Sequence, residues 1–327
     1  MREARGGLTP PAPPPPRTAP GVTDPPGPRA TAPRPVRRPA LPTVGLGVLR
    51  AARPRQWVKN VLVVAAPAAA GELVSRHTAL QLGVVFLLFT AAASGVYLVN
   101  DARDADADRA HPAKCRRPVA AGEVPVPVAY AAGVALAVGA LLGGAVLCNA
   151  MTAALLAAYL LMQFAYCLRL KQVLVVDLAV VTTGFVLRAM IGGVALAIPL
   201  SRWFLITTAF GALFMVAAKR YSEAVQMAGR NGTTRALLTE YTTGYLRFVW
   251  QLAAGVAVLG YCLWALENSG TWRQLSMIAF ILAVLRYAVF ADRGAAGAPE
   301  DVVLRDRPLA VIGLVWTAMY GMAVADL

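Results

Sequence analysis

Residues 100–117 read NDARDADADRAHPAKCRR and directly follow the apolar run of residues 80–99. Within this stretch Asp101, Asp104 and Asp108 are spaced i, i+3 and i+7. In a helix, that spacing places all three side chains on one face. Three converging carboxylates repel each other unless a cation lies among them. Carboxylate oxygens are hard ligands that suit Mg²⁺, which commonly bridges to substrate phosphates.

A polar residue and a basic group flank these aspartates. Asn100 lies four residues before Asp104, close to the same helical face. Lys114, Arg116 and Arg117 follow the aspartates and could hold phosphate oxygens that the metal does not reach. The stretch therefore predicts a Mg²⁺–diphosphate site at the end of a transmembrane helix. The alternative is a charged connecting loop.

The composition predicts a polytopic membrane protein. The chain has 327 residues, of which 58% are hydrophobic and 15% charged, which is too apolar for a soluble domain of this size. The net charge of +14 invites a nucleic-acid function. However, the charges lie mostly in short loops and in the N-terminal segment, as the positive-inside rule predicts, so nucleic acid is excluded as a partner. The four cysteines show neither metal-ligand spacing nor a disulfide framework.

The chain divides into a tail and a membrane domain. Residues 1–43 are rich in Pro and Arg and are predicted to be disordered. Residues 44–327 form the membrane domain, in which residues 44–57 predict an amphipathic helix at the interface. The fold class is all-α, because lipid leaves no partner for free backbone groups. The predicted spans are 58–71, 79–99, 124–147, 150–168, 173–198, 203–218, 244–266, 274–291 and 308–326.

The Lys and Arg residues predict the orientation in the lipid bilayer. The loops after the second, fourth, sixth and eighth spans hold fourteen of them, whereas the opposite loops hold only three. The N-terminus and the aspartate stretch are therefore expected on the cytoplasmic side of the plasma membrane, and the C-terminus outside.

Two further groups of polar residues lie inside or beside spans. Lys59 and Asn60 lead into the first span, either as a phosphate contact or, for the lysine, as an interfacial anchor. Arg188 lies inside the fifth span, eleven residues after Asp177, so both are expected on one helical face. A charge inside a span usually faces a cavity or a partner. We expect a polar cavity beneath the aspartates; the alternative is a structural Arg–Asp or Arg–carbonyl contact.

The loop after the sixth span opens on a basic and aromatic cluster. It comprises Lys219, Arg220, Tyr221 and Glu223. This composition favours a second substrate-binding cluster. The alternative is a salt bridge between Lys219 and Glu223, which are spaced i, i+4.

The pattern Asn100-Asp101-x-x-Asp104-x-x-x-Asp108 after the second span resembles the first aspartate-rich motif of the UbiA-type intramembrane prenyltransferase superfamily. The resemblance implies a bundle of about nine transmembrane helices with a central cavity that faces the cytoplasm. Ordinary members carry a second aspartate-rich motif after the sixth span, where this chain has residues 219–223 instead.

That departure is similar to a branch of the superfamily that transfers phosphoribose. Residues 56–60, 111–118, 171–193 and 298–301 also resemble this branch. The resemblance implies an enzyme that moves 5-phosphoribose from phosphoribosyl diphosphate (PRPP) to polyprenyl (decaprenyl) phosphate and releases diphosphate. The product is a precursor of the arabinose donor for cell-wall arabinan, a part of arabinogalactan. The oligomeric state stays open, and a homo-oligomer is one of the options.

The resemblance also implies roles for individual residues. Asp101, Asp104 and Asp108 would hold Mg²⁺, with Asn100 positioning a carboxylate or a bound water. The candidates for substrate phosphates are Lys59, Asn60, Lys114, Arg116, Arg117, Arg188, Lys219, Arg220, Tyr221 and Glu223.

Two other classes of function remain open at this point. A prenyltransferase would move a prenyl group from a prenyl diphosphate to an aromatic acceptor, but that chemistry normally uses two acidic clusters. A transporter or channel would also carry charges inside its spans, yet the sequence shows no inverted repeat.

Overall fold

The computed structural model describes residues 41–72, 75–228, 240–267, 270–298, 302–303 and 305–324. Within these ranges the regular secondary structure is entirely helical, which confirms the all-α prediction. The α-helices are α1 Leu41–Ala51, α2 Pro54–Trp57, α3 Ala65–Ala69, α4 Arg76–Arg103, α5 Ala105–Arg109, α6 Val126–Leu147, α7 Ala150–Leu168, α8 Val176–Ala195, α9 Arg202–Ala228, α10 Thr243–Glu267, α11 Thr271–Asp292 and α12 Arg307–Val324. Short 3₁₀ helices cover Val58–Val64, Lys114–Arg116 and Leu170–Gln172.

Seven helices of the described chain are long and apolar enough to cross a membrane, and they coincide with the second to eighth predicted spans. These are α4 and α6 to α11. Helix α12 coincides with the ninth predicted span. The first predicted span differs, because residues 58–69 form the 3₁₀ helix Val58–Val64 followed by the short α3.

The predicted interfacial helix is shorter than expected. Helix α1 begins at Leu41 and ends at Ala51, whereas residues 44–57 were predicted to be one helix. The chain breaks at Arg53, whose backbone is left-handed (φ 58°, ψ 65°), and Pro54 starts α2. A proline disfavours the helical conformation of the residue before it, which explains a break at this point.

The loops predicted to be cytoplasmic meet at one end of the bundle, here called the motif end. They follow α4, α7, α9 and α11, and hydrogen bonds connect them or the helix termini beside them. The bonds run from Arg103 Nη1 to the Cys167 carbonyl (2.9 Å), from Val175 N–H to Tyr241 Oη (2.7 Å) and from Ala296 N–H to Ser222 Oγ (2.9 Å).

Close helix contacts depend on glycine. Gly95 of α4 faces Gly133 of α6, and a Cβ atom on Gly95 would lie 2.7 Å from the Gly133 carbonyl oxygen. Gly192 of α8 touches the backbone carbonyl of Val63, so the broken first span packs directly onto α8. Small residues allow such approaches between membrane helices. These contacts fix α4 against α6 and the first span against α8, and thereby position the site.

Two expectations cannot be compared with the fold. The predicted disorder of residues 1–40 and the family resemblance at residues 299–301 lie outside the described residues. The four cysteines are free, as expected.

Candidate functional site

The aspartate motif does not lie on one continuous helix. Helix α4 ends at Arg103, Asp104 has φ −88° and ψ 8°, and α5 begins at Ala105. The predicted single face is therefore wrong, because the backbone turns at the middle aspartate. Asp101 and Asp108 remain buried on the same side of the turn, whereas Asp104 is partly exposed.

Arg117 joins the two buried carboxylates. Its Nη1 atom lies 3.2 Å from Asp101 Oδ1 and 2.7 Å from Asp108 Oδ2. Lys114 adds a longer contact, with Nζ 4.0 Å from Asp108 Oδ1. A buried carboxylate is strongly unfavourable without such a partner, so the loop after α5 is folded back by these charges. The structure therefore brings Arg117 and Lys114 to the aspartates, and their contact with substrate phosphates stays a prediction.

The other two predicted residues of this region lie differently. Arg116 is exposed and forms no ion pair with any acidic residue in the described ranges. Asn100 is partly buried, and its backbone carbonyl accepts the Asp104 N–H at 2.9 Å. Its position in the last turn of α4 keeps it beside the motif.

Two cations that the sequence did not assign also contact the motif. Arg53, from the break between α1 and α2, donates Nη2–H to Asp101 Oδ1 at 2.6 Å. Lys171, from the 3₁₀ helix after α7, lies with Nζ 3.5 Å from Asp104 Oδ2. The only signals in the sequence were the polar run at residues 53–60 and the family likeness that begins at Lys171. Neither signal indicates which aspartate is the partner.

The donor set fits a divalent cation, although the carboxylates are at present paired with basic side chains. Among the described residues no group of three or more His, Cys, Asp or Glu is arranged to hold a metal, since Asp104 faces Lys171 instead. However, a single cationic nitrogen of Arg117 already lies between oxygens of Asp101 and Asp108. Mg²⁺ in proteins is usually held by one or two carboxylates together with waters and substrate phosphates, so these two carboxylates fit this ion.

His111 serves the loop rather than a metal. Its Nδ1 accepts the N–H groups of Ala113 and Lys114, at 3.2 and 3.3 Å. These bonds shape the turn that carries Lys114 toward Asp108.

The cluster after the sixth span forms a second charged centre at the motif end. Asp177 accepts the Tyr241 hydroxyl at 2.6 Å and lies 3.5 Å from Arg220 Nε. Arg220 Nη1 also donates to Glu223 Oε2 at 3.0 Å, so the alternative Lys219–Glu223 bridge does not form. Burial, together with the bond to Asp177, raises the pKa of Tyr241 above its ordinary value. Tyr241 thus stays a hydrogen-bond donor, a role that its isolated position in the sequence did not reveal.

The remaining residues of this cluster are divided between core and solvent. Tyr221 is buried, and its hydroxyl accepts from Arg247 Nη2 at 2.6 Å. Lys219 is partly buried and has no ion-pair partner in the described part of the chain. The cluster therefore keeps one cation that no carboxylate neutralises.

Arg188 is a buried charge that pairs with no carboxylate in the described part of the chain. Its Nε donates to Asn60 Oδ1 at 2.8 Å, and its Nη1 is 3.4 Å from the Gly184 carbonyl. The guanidinium also lies 4.9 Å from the centre of the Phe89 ring. Asp177 shares the buried face of α8 but binds other partners, so the Arg–carbonyl alternative is found rather than an Arg–Asp pair.

Lys59 and Asn60 adopt different environments. Asn60 is buried and donates Nδ2–H to Thr90 Oγ1 at 2.9 Å. Through its two hydrogen bonds it connects Thr90 on α4 to Arg188 on α8. Lys59 is partly buried. The pairing of Asn60 with Arg188 spans 128 positions of sequence, and no local pattern could have indicated it.

An apolar cavity of about 250 Å³ lies toward the opposite end of the bundle. It is far from the motif end, since its lining comes from the start of α9 and the ends of α10 and α12. Aromatic rings dominate the lining, which includes Tyr261, Trp264, Phe280, Trp316 and Tyr320.

Comparison with known proteins identifies relatives along most of the chain. A decaprenyl-phosphate phosphoribosyltransferase from Mycobacterium tuberculosis is 51% identical over 287 residues, covering 85% of this chain and 94% of its own length. Proteins of the same name from Mycolicibacterium smegmatis and Corynebacterium glutamicum are 46% and 45% identical, covering 87% and 85% of this chain and 96% and 86% of their own.

The fold is shared with solved structures, and the sequence matches a family profile. A UbiA homolog from Archaeoglobus fulgidus bound to GPP and Mg²⁺ superposes with a TM-score of 0.65 at 18% identity, covering 86% of this chain and 100% of its own. A digeranylgeranylglyceryl phosphate synthase gives a TM-score of 0.62 at 14% identity, covering 86% and 99%. The profile of the UbiA prenyltransferase family matches residues 61–305. The chain therefore belongs to the UbiA prenyltransferase family.

Proposed function

We propose that this protein is an enzyme that transfers 5-phosphoribose from PRPP to decaprenyl phosphate and releases diphosphate. The observation that carries the proposal is the pairing of the single aspartate motif with cations from three segments of chain, Arg53, Arg117 with Lys114, and Lys171. Such a site can exchange its internal ion pairs for the metal and the phosphates of one donor. The names of the relatives, at 45–51% identity over most of the chain, support the same reaction.

The donor diphosphate is proposed to bind at the motif. Asp101 and Asp108, with Asp104 beside them, would hold Mg²⁺, which when bound would neutralise the charge on the departing diphosphate. Arg117 and Lys114 already lie within ion-pair distance of these carboxylates and would take diphosphate oxygens. Guanidinium groups suit this task because their donors match the geometry of phosphate oxygens.

The two other phosphates are assigned to cations that lack a carboxylate. Arg188 is held by Asn60 and a carbonyl, and Lys219 has no acidic partner among the described residues. A buried guanidinium held only by neutral groups favours an anionic ligand. We assign these two side chains to the ribose 5-phosphate and the acceptor phosphate.

The acceptor phosphate is already anionic, so the chain need not supply a strong general base. The protein holds the two anionic substrates in contact and excludes water from the ribose carbon. Positioning of this kind supplies much of the rate. The Arg220–Asp177–Tyr241 contacts hold α8 and α9 together beside Lys219, and thereby fix its position.

The lipid part of the acceptor requires apolar room inside the bundle. The aromatic cavity beyond the site suits isoprenoid methyl groups, because its lining is almost entirely apolar. We place distal units of the decaprenyl chain there.

The proposed site is on the cytoplasmic side of the plasma membrane, since the loops of the motif end carry fourteen of the seventeen Lys and Arg residues in the loops between spans. The N-terminus would share that side, and the C-terminus would lie outside. The product, decaprenyl-phosphoryl-5-phosphoribose, would serve cell-wall arabinogalactan synthesis.

A second candidate is prenyl transfer to an aromatic acceptor, which the likeness to a UbiA homolog bound to GPP favours. Against it, residues 219–241 contain only Glu223 and Glu240 as acids, and Glu223 is paired with Arg220.

The purified protein with Mg²⁺, radiolabelled PRPP and decaprenyl phosphate should yield a labelled lipid. Absence of product, together with turnover of geranylgeranyl diphosphate and an aromatic acceptor, would replace the proposal with this candidate.

A further inference from the structure

Arg53 combines several features that a surface arginine lacks. Its Nη2–H donates to the buried Asp101 at 2.6 Å, and its guanidinium lies 4.6 Å from the centre of the Tyr97 ring. The side chain is 31% exposed, so it contacts the buried motif and still reaches solvent.

The backbone at Arg53 is strained and held in place. Its φ of 58° lies in the left-handed region, which is unfavourable for a residue with a side chain. The preceding carbonyl of Ala52 accepts both Trp57 Nε1–H (3.1 Å) and Ser94 Oγ–H (3.3 Å), which fixes the break against α4. A glycine would adopt this backbone without strain, so the strain at this position comes from carrying a side chain.

Asp101 cannot bind Arg53, Arg117 and a divalent cation through the same oxygen at once. A single oxygen, Oδ1, accepts from both Arg53 and Arg117. A divalent cation that binds this oxygen must therefore displace at least one guanidinium. Arg117 has a second carboxylate in Asp108, whereas Arg53 has Asp101 as its only acidic partner in the described chain.

We propose that Arg53 exchanges partners when the donor binds: it holds Asp101 in the free protein and moves onto a phosphate oxygen of the donor once Asp101 binds the divalent cation. This inference rests on the proposed function and adds a donor-binding residue from the break before the first span. The exchange breaks the charge-assisted bond between Arg53 and Asp101 and forms one between Arg53 and the phosphate. Neither the guanidinium nor the carboxylate is therefore left without a partner of opposite charge. Tyr97 stays beneath the guanidinium and limits the directions in which it can turn.

The proposal predicts opposite effects on metal and donor. In Arg53→Gln, the competing cation is gone, so Mn²⁺ alone should bind as tightly as in the wild type or tighter. The KM for PRPP should rise roughly 10- to 100-fold, as expected for loss of a hydrogen bond to a charged group, while kcat changes less. Arg53→Lys should fall between, because lysine keeps the charge without the planar fork.

The experiment uses the full-length protein in detergent. Mn²⁺ binding without PRPP is followed by the electron paramagnetic resonance signal of the free ion, and KM and kcat are measured in the transfer reaction. Arg50→Gln is the matched control, since it removes a 2.7 Å contact with Glu123 from the same segment but outside the motif; both readouts should stay within twofold of the wild type.

Three results would overturn the inference. A KM within twofold of the wild type in Arg53→Gln would show a purely structural ion pair. A parallel loss of Mn²⁺ binding would show that Arg53 only builds the metal site. A wild type that binds Mn²⁺ but does not turn over PRPP would reject the proposed function and, with it, the donor contact. If Arg53→Gln is not monodisperse, Arg53→Lys carries the same comparison.

Discussion

Replacing Arg117 by Gln tests whether the buried aspartates form a cation site. The change removes two charge-assisted hydrogen bonds, at 3.2 Å to Asp101 and 2.7 Å to Asp108. Each such bond contributes roughly 1.5–3 kcal/mol, and the arginine side chain is 29% exposed, so we discount the sum to about 3 kcal/mol. Loss of that amount lowers the melting temperature by roughly 6–12 °C.

Magnesium should restore part of this loss. In the variant, two neighbouring carboxylates have lost the cation between them, and Mg²⁺ can take that place. A bound ion stabilises the folded state by about 1.4 kcal/mol at ten times its Kd. The wild type should gain less, because there the ion must displace Arg117.

The assay is thermal unfolding of the purified protein, followed by intrinsic fluorescence in EDTA and in Mg²⁺. Arg109→Gln is the matched control, because it removes an exposed ion pair with Asp106 and a 3.3 Å bond to the Ala120 carbonyl from the same region, and it should lower the melting temperature clearly less than Arg117→Gln. The reasoning is refuted if Arg117→Gln melts within 1 °C of the wild type in EDTA, or if Mg²⁺ raises its melting temperature no more than that of the wild type.

Three further predictions follow from the same contacts. Asp101→Asn and Asp104→Asn should each abolish transfer while the protein still elutes as a folded species; full activity in either variant would remove that residue from the metal site. Gly192→Ala should destabilise by about 3 kcal/mol or more, because its Cβ would collide with the Val63 carbonyl, whereas Gly211→Ala has open space and should be neutral or slightly stabilising; equal melting temperatures would contradict the packing. Since the folded-state pKa of Tyr241 is raised, its contribution to stability is fully present below about pH 10 and is lost as pH rises through the raised value, so the stability advantage of the wild type over Tyr241→Phe should be constant below about pH 10 and shrink above it; a difference in melting temperature that stays constant at higher pH would contradict this.

Hydropathy and spacing predicted much of the fold because they reflect local physics. Seven predicted spans match long apolar helices, since each span needs about 20 apolar residues whatever its neighbours are. The break at Asp104 was not predictable, because carboxylate spacing says nothing about where the backbone turns. The first span also differs, since its close contact with Gly192 is a tertiary feature.

The candidate site was predictable in its acidic half and less so in its basic half. Lys114 and Arg117 follow the aspartates closely, so proximity in sequence indicated proximity in space. Arg53 and Lys171 contact aspartates 48 and 67 positions away, which no short pattern encodes. Glu223 pairs with Arg220 and not with Lys219, and Arg220 also contacts Asp177 on α8, a partner that is distant in sequence.

The most direct measurement of the central claim is a structure of the protein with Mn²⁺ and PRPP, with the ion located by its anomalous scattering. The account predicts an ion about 2–2.3 Å from oxygens of Asp101 and Asp108, with the diphosphate of PRPP on its other side and Arg117 turned to that diphosphate. An ion held by PRPP alone, with Arg117 still between the two aspartates, would contradict the account.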